Sequence, residues 1–316
     1  MKHAFLIMAH DQLEMLKNTM EALDHEDNAL FVHVDLKCSA FDEADFESIC
    51  HLSSVTFIER RSLSWGGYSL VECELHLLDI AQRSGPFGYY HLISGVDYPL
   101  KSNEYIHSFF AQNIGKEFIH VDVGWTNQSE IRRRYMYYHP LQEYWGRCNT
   151  LVKKALRRVT NMIMIGFQKF VLRVDRRRQN KNTLFHGGMQ WFSISNDFCS
   201  YVLSKKDWIF RTFRMGLCVD EIFLQTVVMN SPFSESVFTP NCADKCVSSM
   251  RLIDWGRGKP YTWKLADFPE LVGSSCLFAR KFSCRTEDEK ELIKSLKAHS
   301  ASKHKVNDQA IAPMNT

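Results

Sequence analysis

The sequence predicts an α/β fold, a mostly parallel sheet flanked by helices, on three observations. Short apolar runs of strand length alternate with longer stretches of helical spacing through the first 125 residues. The runs are continuously apolar, as parallel strands covered on both faces must be. Polar residues then collect at their carboxyl ends, where open α/β sheets bind ligands.

The elements follow in order. "HAFLIMAH" reads as a buried strand ending at His10, and "DQLEMLKNTMEAL" as a helix with Leu13, Leu16, Met20 and Leu23 on one face. "ALFVHVD" is a second strand ending in Asp35, which completes a βαβ unit. "SSVTFIE" is a third strand, and "GYSLVECELHLLDIAQRSG" a helix stopped by Gly85 and Pro86. "YYHLISGVDYPL" is a fourth strand running into a turn, and "EFIHVDV" a fifth. "GGMQWFSISNDFCSYVLS" reads as loop, strand and helix, and "DEIFLQTVV" as a helix capped by Asp220. "RLIDWGRGKPYTW" is loop or strand. The expected organisation is one domain over 1–298, with a nucleotide-binding half at about 1–125 and an acceptor and catalytic half at about 180–285. From about 299 to 316 the chain is polar with little periodicity and reads as a loose tail.

Composition narrows the class. The chain has 316 residues, 45% apolar and 24% charged, with a net charge of +3, which is ordinary for a globular protein. Most of the ten cysteines lie within apolar segments and behave as small apolar residues. Cys242 and Cys246 have no partner pair at zinc-site spacing, so no metal is expected. The apolar run Ala4 to Met8 is too short for a signal peptide or a membrane span, so a cytoplasmic protein is expected.

Residues 151–178 stand apart as a basic amphipathic insertion. Nine Lys and Arg face the single acid Asp175, while Leu151, Ala155, Val159, Met162 and Phe170 recur at helical spacing. The segment is either a surface helix with a solvated basic face or one that lies on an anionic membrane, the inner face of the plasma membrane. It lacks the interleaved aromatics of a base-stacking platform, so nucleic acid is not an expected partner.

The chemistry-bearing residues point to a phosphorylated ligand. Arg257 and Lys259 in "DWGRGK" and Arg280 and Lys281 in "FARKF" supply cations. The sequence has neither G-x-x-x-x-G-K-[ST] nor G-x-G-x-x-G after the first strand, which argues against P-loop and dinucleotide enzymes. It also has no D-x-D, the common metal–diphosphate motif of nucleotide-sugar transferases, so basic side chains would have to neutralise a diphosphate. Trp65, Trp191 and Trp255 sit beside glycines, either as buried rings next to turns or as flat surfaces for a sugar. His10, Asp35 and Asp97 lie at expected strand ends. Each alone reads as a helix-start or turn residue, and together they favour a site on that edge.

Eight blocks in order carry a family resemblance: "LIMAHDQLEML", "FVHVDLKCS", "SLSWGGYSLVECELHLL", "YYHLISGVDYPLKS", "GGMQWFSIS", "DEIFLQTVV", "RLIDWGRGKP" and "LFARKF". Together they resemble the core-2/I-branching β-1,6-N-acetylglucosaminyltransferases, a family that also holds the peptide O-xylosyltransferases. The resemblance implies a GT-A-like, Rossmann-type fold and a UDP-sugar donor. It also implies inversion at the anomeric carbon, no cofactor and no divalent metal. It carries uridine contacts to His10 and Asp35, the nucleotide pocket to Ser64 and Trp65, and the catalytic base to Glu221. Diphosphate contacts fall on Lys281 and on Arg257, for which Lys259 competes, and acceptor or donor-sugar contacts on Gln190, Trp191 and Trp255. The implied activity is transfer of a sugar to a glycan, free or lipid-linked, in polysaccharide or glycoconjugate synthesis. N-acetylglucosamine is the first expectation for the donor sugar, and xylose the alternative. A non-catalytic nucleotide-sugar or glycan-binding protein on the same fold is the reading from another class. The chain departs from animal members in showing neither their signal anchor nor their disulfide pattern, as a bacterial-type member would.

Overall fold

A computed structural model describes residues 1–122, 129–147, 150–239 and 245–310. Its main sheet has the spatial order Ser54–Phe57, Asn28–Val34, His3–Ala9, Tyr89–Ser94, Phe192–Ser195, Phe118–Ile119. The strands are β1 (His3–Ala9), β2 (Asn28–Val34), β3 (Ser54–Phe57), β4 (Tyr89–Ser94), β6 (Phe118–Ile119) and β7 (Phe192–Ser195), with β5 (Asp97–Pro99) lying apart in a second sheet. The first four strands of that order are parallel, and β7 is antiparallel to both β4 and β6. The fold class is therefore the expected mixed α/β, mostly parallel sheet. The fifth strand pairs in the sheet through Phe118 and Ile119, with Glu117 bridged to Val237 beside it.

Side-chain alternation builds two cores. Ala4, Leu6 and Met8 of β1 pack with Phe31, Leu92 and the helix α2 (Tyr68–Ser84) on one face. Phe5, Ile7 and Ala9 pack on the other with Leu30, Val32, α1 (Leu13–Ala22) and α3 (Asn103–Gln112). A period of two sends neighbours to opposite faces, and both faces are covered, which is why these strands read as unbroken apolar runs.

The second sheet, β5-β9-β8, lies beyond the carboxyl end of β4. Its other strands are β8 (Arg251–Ile253) and β9 (Phe278–Arg280). "YYHLISGVDYPL" thus holds two strands and not one strand with a turn. Asp97 causes the break: its carboxylate accepts bonds from the Ser94 amide (2.8 Å) and hydroxyl (2.7 Å). It also pairs with Arg280 at 2.7 Å across the strand ladder. Asp97 is buried and its carboxylate is taken up by Ser94 and Arg280, so it serves the junction of the two sheets and is not a ligand contact.

The remaining helices are α4 (Ser129–Met136), α5 (Gln142–Trp145), α6 (Leu151–Phe170), α7 (Asn196–Ser204), α8 (Lys206–Phe213), α9 (Phe223–Met229), α10 (Lys245–Ser249), α11 (Phe268–Gly273) and α12 (Glu287–Ala310). Two expectations change here. The tail expected from 299 is helical as far as Ala310, because α12 is rich in strong helix formers and opens on Glu287, Asp288 and Glu289. Residues 311–316 lie outside the described residues, as does Cys242. The helix expected from Asp220 begins three residues later, at Phe223, after a 3₁₀ turn over Val219–Glu221.

Candidate active site

The site starts where β1 and β2 end. The Asp35 amide donates to the Ala9 carbonyl at 2.8 Å, so His10 and Asp35 leave the sheet side by side. His10 is exposed, with its ring 3.4 Å from the Asp11 carboxylate. Asp35 is buried, and its carboxylate accepts from the amides of Lys37 (2.9 Å) and Leu63 (3.3 Å). That second bond fastens the end of β2 to the segment carrying Ser64 and Trp65.

The Ser64–Trp65–Gly66–Gly67 turn is held from below. The Ser64 hydroxyl donates to the Glu143 carbonyl, and the Gln142 amide donates to the Trp65 carbonyl at 2.8 Å. The Glu143 carboxylate accepts from the Ser69 amide and hydroxyl, both at 2.8 Å. Gly66 has φ +70°, and a Cβ there would stand 2.9 Å from the Cys218 sulfur. The turn therefore lies directly against the corner at 218–221 between two helices, to which it is also bonded through Cys218 N–H and Gly66 O (2.8 Å). The indole of Trp65 is left 51% exposed.

Asp220 and Glu221 stand on that corner. The Glu221 side chain is 42% exposed and meets the Arg134 guanidinium of α4 at 2.7 Å. Its carbonyl accepts from the Gly188 amide at 2.9 Å. Gly188 is obligatory there, since a Cβ would fall 1.8 Å from the His120 carbonyl oxygen. Asp220 is buried and caps nothing: the 3₁₀ turn starts on Cys218, α9 starts on Ile222, and neither start has a side-chain cap. One Asp220 carboxylate oxygen has no hydrogen-bond partner. Burial, with the charge of Glu221 added, pushes this carboxyl up to about 7. The capping role expected of it is therefore corrected: the left-handed Cys218 (φ 47°) turns the chain, and Asp220 points inward.

Behind this corner lies a residue the sequence reading missed. Glu74 of α2 is fully buried, accepts from the Gln190 amide at 2.8 Å, and has its other oxygen unpartnered. Burial first, and the nearby Asp220 second, raise its carboxyl well above the usual range. Gln190 thus contacts Glu74 and is only partly exposed. Trp191 is buried with the Arg280 guanidinium 4.4 Å over its ring, so it offers no open face to a sugar. Of the three tryptophans, Trp65 and Trp255 have open rings, the latter 55% exposed.

The cations separate by their partners. Arg257 is held by Asp254, by Asp267 at 2.9 Å and by Glu270 at 2.8 Å, and lies over the Tyr261 ring. This arrangement shapes the loop that presents Trp255 and leaves the guanidinium fully engaged, contrary to its expected place on a diphosphate. Lys281 and Lys259 have no carboxylate partner among the described residues. Lys281 follows β9 and is tied to the main sheet edge. The Phe282 amide donates to the Val96 carbonyl (2.8 Å), and the Gly95 amide to the Met8 carbonyl (2.9 Å). Arg285 reaches Asp11 at 3.0 Å. His10, Asp35, Ser64, Trp65, Glu221 and Lys281 therefore stand on directly bonded segments around one edge. Among the described residues, no three His, Cys, Asp or Glu side chains converge as a metal-binding group.

A Rossmann-type βαβ half, joined to an antiparallel strand and with polar residues at the sheet's carboxyl edge, defines a mixed α/β protein with a mostly parallel central sheet. The chain belongs to the Core-2/I-Branching enzyme family, whose match covers residues 3–269. Among curated proteins it is similar to xylosyltransferase 2 of Rattus norvegicus, 24% identical over 90% of this chain and 32% of that protein. Xylosyltransferase 2 of Homo sapiens is 23% identical over the same shares. The chain thus spans about a third of the length of the curated relatives it matches. Among solved structures, mouse xyloside xylosyltransferase 1 aligns at 10% identity over 88% of this chain and 97% of that one, with a TM-score of 0.36.

Proposed function

We propose that this chain is an inverting glycosyltransferase that moves a sugar from a UDP-sugar to a glycan hydroxyl. The observation that carries the proposal is the placement of an exposed carboxylate, Glu221, on a corner bonded to the Trp65 turn. Leu63, which leads into that turn, is bonded to Asp35 at the end of β2, and Asp35 to Ala9 at the end of β1. Uridine sits against His10, Asp35 and Trp65. Lys281, with Lys259 as the second cation in place of Arg257, faces the diphosphate. Glu221 takes the proton from the attacking hydroxyl as its oxygen bonds to the anomeric carbon. The bond from that carbon to the diphosphate breaks, and UDP leaves with the electron pair, its growing charge met by Lys281. No divalent metal takes part.

UDP-xylose is the first donor to try, because the relatives named above are xylosyltransferases; UDP-N-acetylglucosamine, with transfer in β-linkage, is the second. The acceptor is a glycan, and a lipid-linked one suits the basic segment 151–178. A cytoplasmic, membrane-peripheral protein in polysaccharide synthesis fits this reading.

Glu221→Gln lowers transfer roughly 10²–10⁴-fold while leaving UDP affinity, read by calorimetry, unchanged. Wild-type turnover in that variant removes Glu221 from the chemistry. Binding of UDP with neither hydrolysis nor transfer of any donor by the wild type favours the non-catalytic reading.

A further inference from the structure

Helix α6 is built the wrong way round for a helix of a protein surface. Such a helix turns its apolar stripe to the core. Here Val152, Leu156, Val159, Ile163, Phe167 and Phe170, spaced by three and four residues, are each between 47 and 77% exposed. The opposite face holds the helix to the body. Arg157 donates to the Gly146 carbonyl at 3.0 Å, and the buried Gln168 bonds both the amide (2.8 Å) and the carbonyl (2.9 Å) of Tyr138. The orientation is thus fixed by polar contacts, and the stripe is left facing outward over about 30 Å of helix. Lys153 lies beside it, Lys154, Arg158 and Lys169 are exposed further round the helix, and α6 contains no acidic residue.

We infer that α6 is a docking surface for an anionic lipid bilayer, lying in the interface with its apolar stripe among the acyl chains and its cations on the headgroups. The charge pattern selects this occupant. A second copy laid stripe to stripe would find no opposite charge on α6, which has no acidic residue, whereas anionic headgroups neutralise its exposed cations. Spanning is a different matter: no described helix is long and apolar enough to cross a membrane. Docking also has a geometric consequence. The Gly146 carbonyl bonded by Arg157 belongs to the segment backing Ser64, 3.8 Å from a Cβ position on Gly146. A docked α6 therefore holds the Trp65 turn beside the membrane surface, where a lipid-linked acceptor presents its glycan. This choice of acceptor rests on the transferase reading above, and the docking itself does not.

The test is co-sedimentation of the full chain with vesicles of phosphatidylcholine and phosphatidylglycerol at equal parts, and with phosphatidylcholine alone. The wild type sediments with the anionic vesicles at least tenfold more than with the neutral ones, and less as salt rises. Ile163→Glu with Phe167→Glu abolishes sedimentation without changing melting temperature or UDP affinity. Equal sedimentation of wild type and variant overturns the proposal, as does no sedimentation of the wild type. Concentration-dependent dimerisation lost in the variant, with no vesicle binding, assigns the stripe to a second copy instead. Loss of UDP binding in both proteins defeats the donor reading and leaves the docking result standing.

Discussion

Asp220 is buried with one carboxylate oxygen unpartnered, and Glu221 beside it reaches out to Arg134. The first therefore stores a pH-dependent cost and the second is available for chemistry. A carboxyl raised by folding is fully accommodated below its unfolded value and loses stability as pH rises toward its folded value. For Asp220 that window runs from the ordinary 3.8 to about 7, and the displacement opposes folding by up to about 4 kcal/mol at higher pH. Asp220→Asn accordingly raises the melting temperature at pH 8 by a few degrees, and the gain vanishes near pH 4, as followed by thermal unfolding across pH. A lower melting temperature at pH 8 contradicts this account of the site. Arg134→Ala removes the side chain that orients Glu221. Turnover then falls on the order of tenfold to a hundredfold at unchanged UDP affinity, as steady-state rates and calorimetry would show. Some of this was legible in the residues. His10 and Asp35 lie at the ends of strands that the apolar runs locate well. Glu74 carried a signal too, since it shares the buried face of its helix with Val71, Leu75 and Leu78, where a carboxyl is unexpected. Arg257 carried none, because Asp267 and Glu270 reach it only after the chain turns back at 258–261.

Among the elements, the parallel strands were the most legible, because two covered faces give unbroken apolar runs. The split into β4 and β5 was not: Asp97 looks like a turn former until its bonds to Ser94 and Arg280 are seen. The start of α9 was misplaced for a related reason, since Asp220 has the chemistry of a cap but is turned inward by the left-handed Cys218 before it. Close backbone approach at Gly188 was also hidden, as "GG" alone does not say what passes nearby. A Cβ 1.8 Å from the His120 carbonyl cannot be absorbed by a side-chain rotation. Gly188→Ala should cost more than about 3 kcal/mol, read as a large drop in melting temperature. An unchanged melting temperature would mean that this stretch adjusts freely and does not fix the Glu221 backbone. The basic segment was recognised by charge, but which face it turns outward depends on two polar anchors that come from Gly146 and Tyr138.

At the scale of the whole molecule, the main sheet, the second sheet and the 218–221 corner are joined along one edge, and the family match covers residues 3–269 and so stops short of β9 and Lys281. The central claim is that this edge binds a nucleoside diphosphate with side-chain cations in place of a metal. Calorimetric titration of UDP into the full chain with EDTA present, run beside Lys281→Ala, tests it most directly. The account predicts saturable binding by the wild type in EDTA and at least tenfold weaker binding by the variant. No binding until manganese is added, or equal binding by the two proteins, would contradict it.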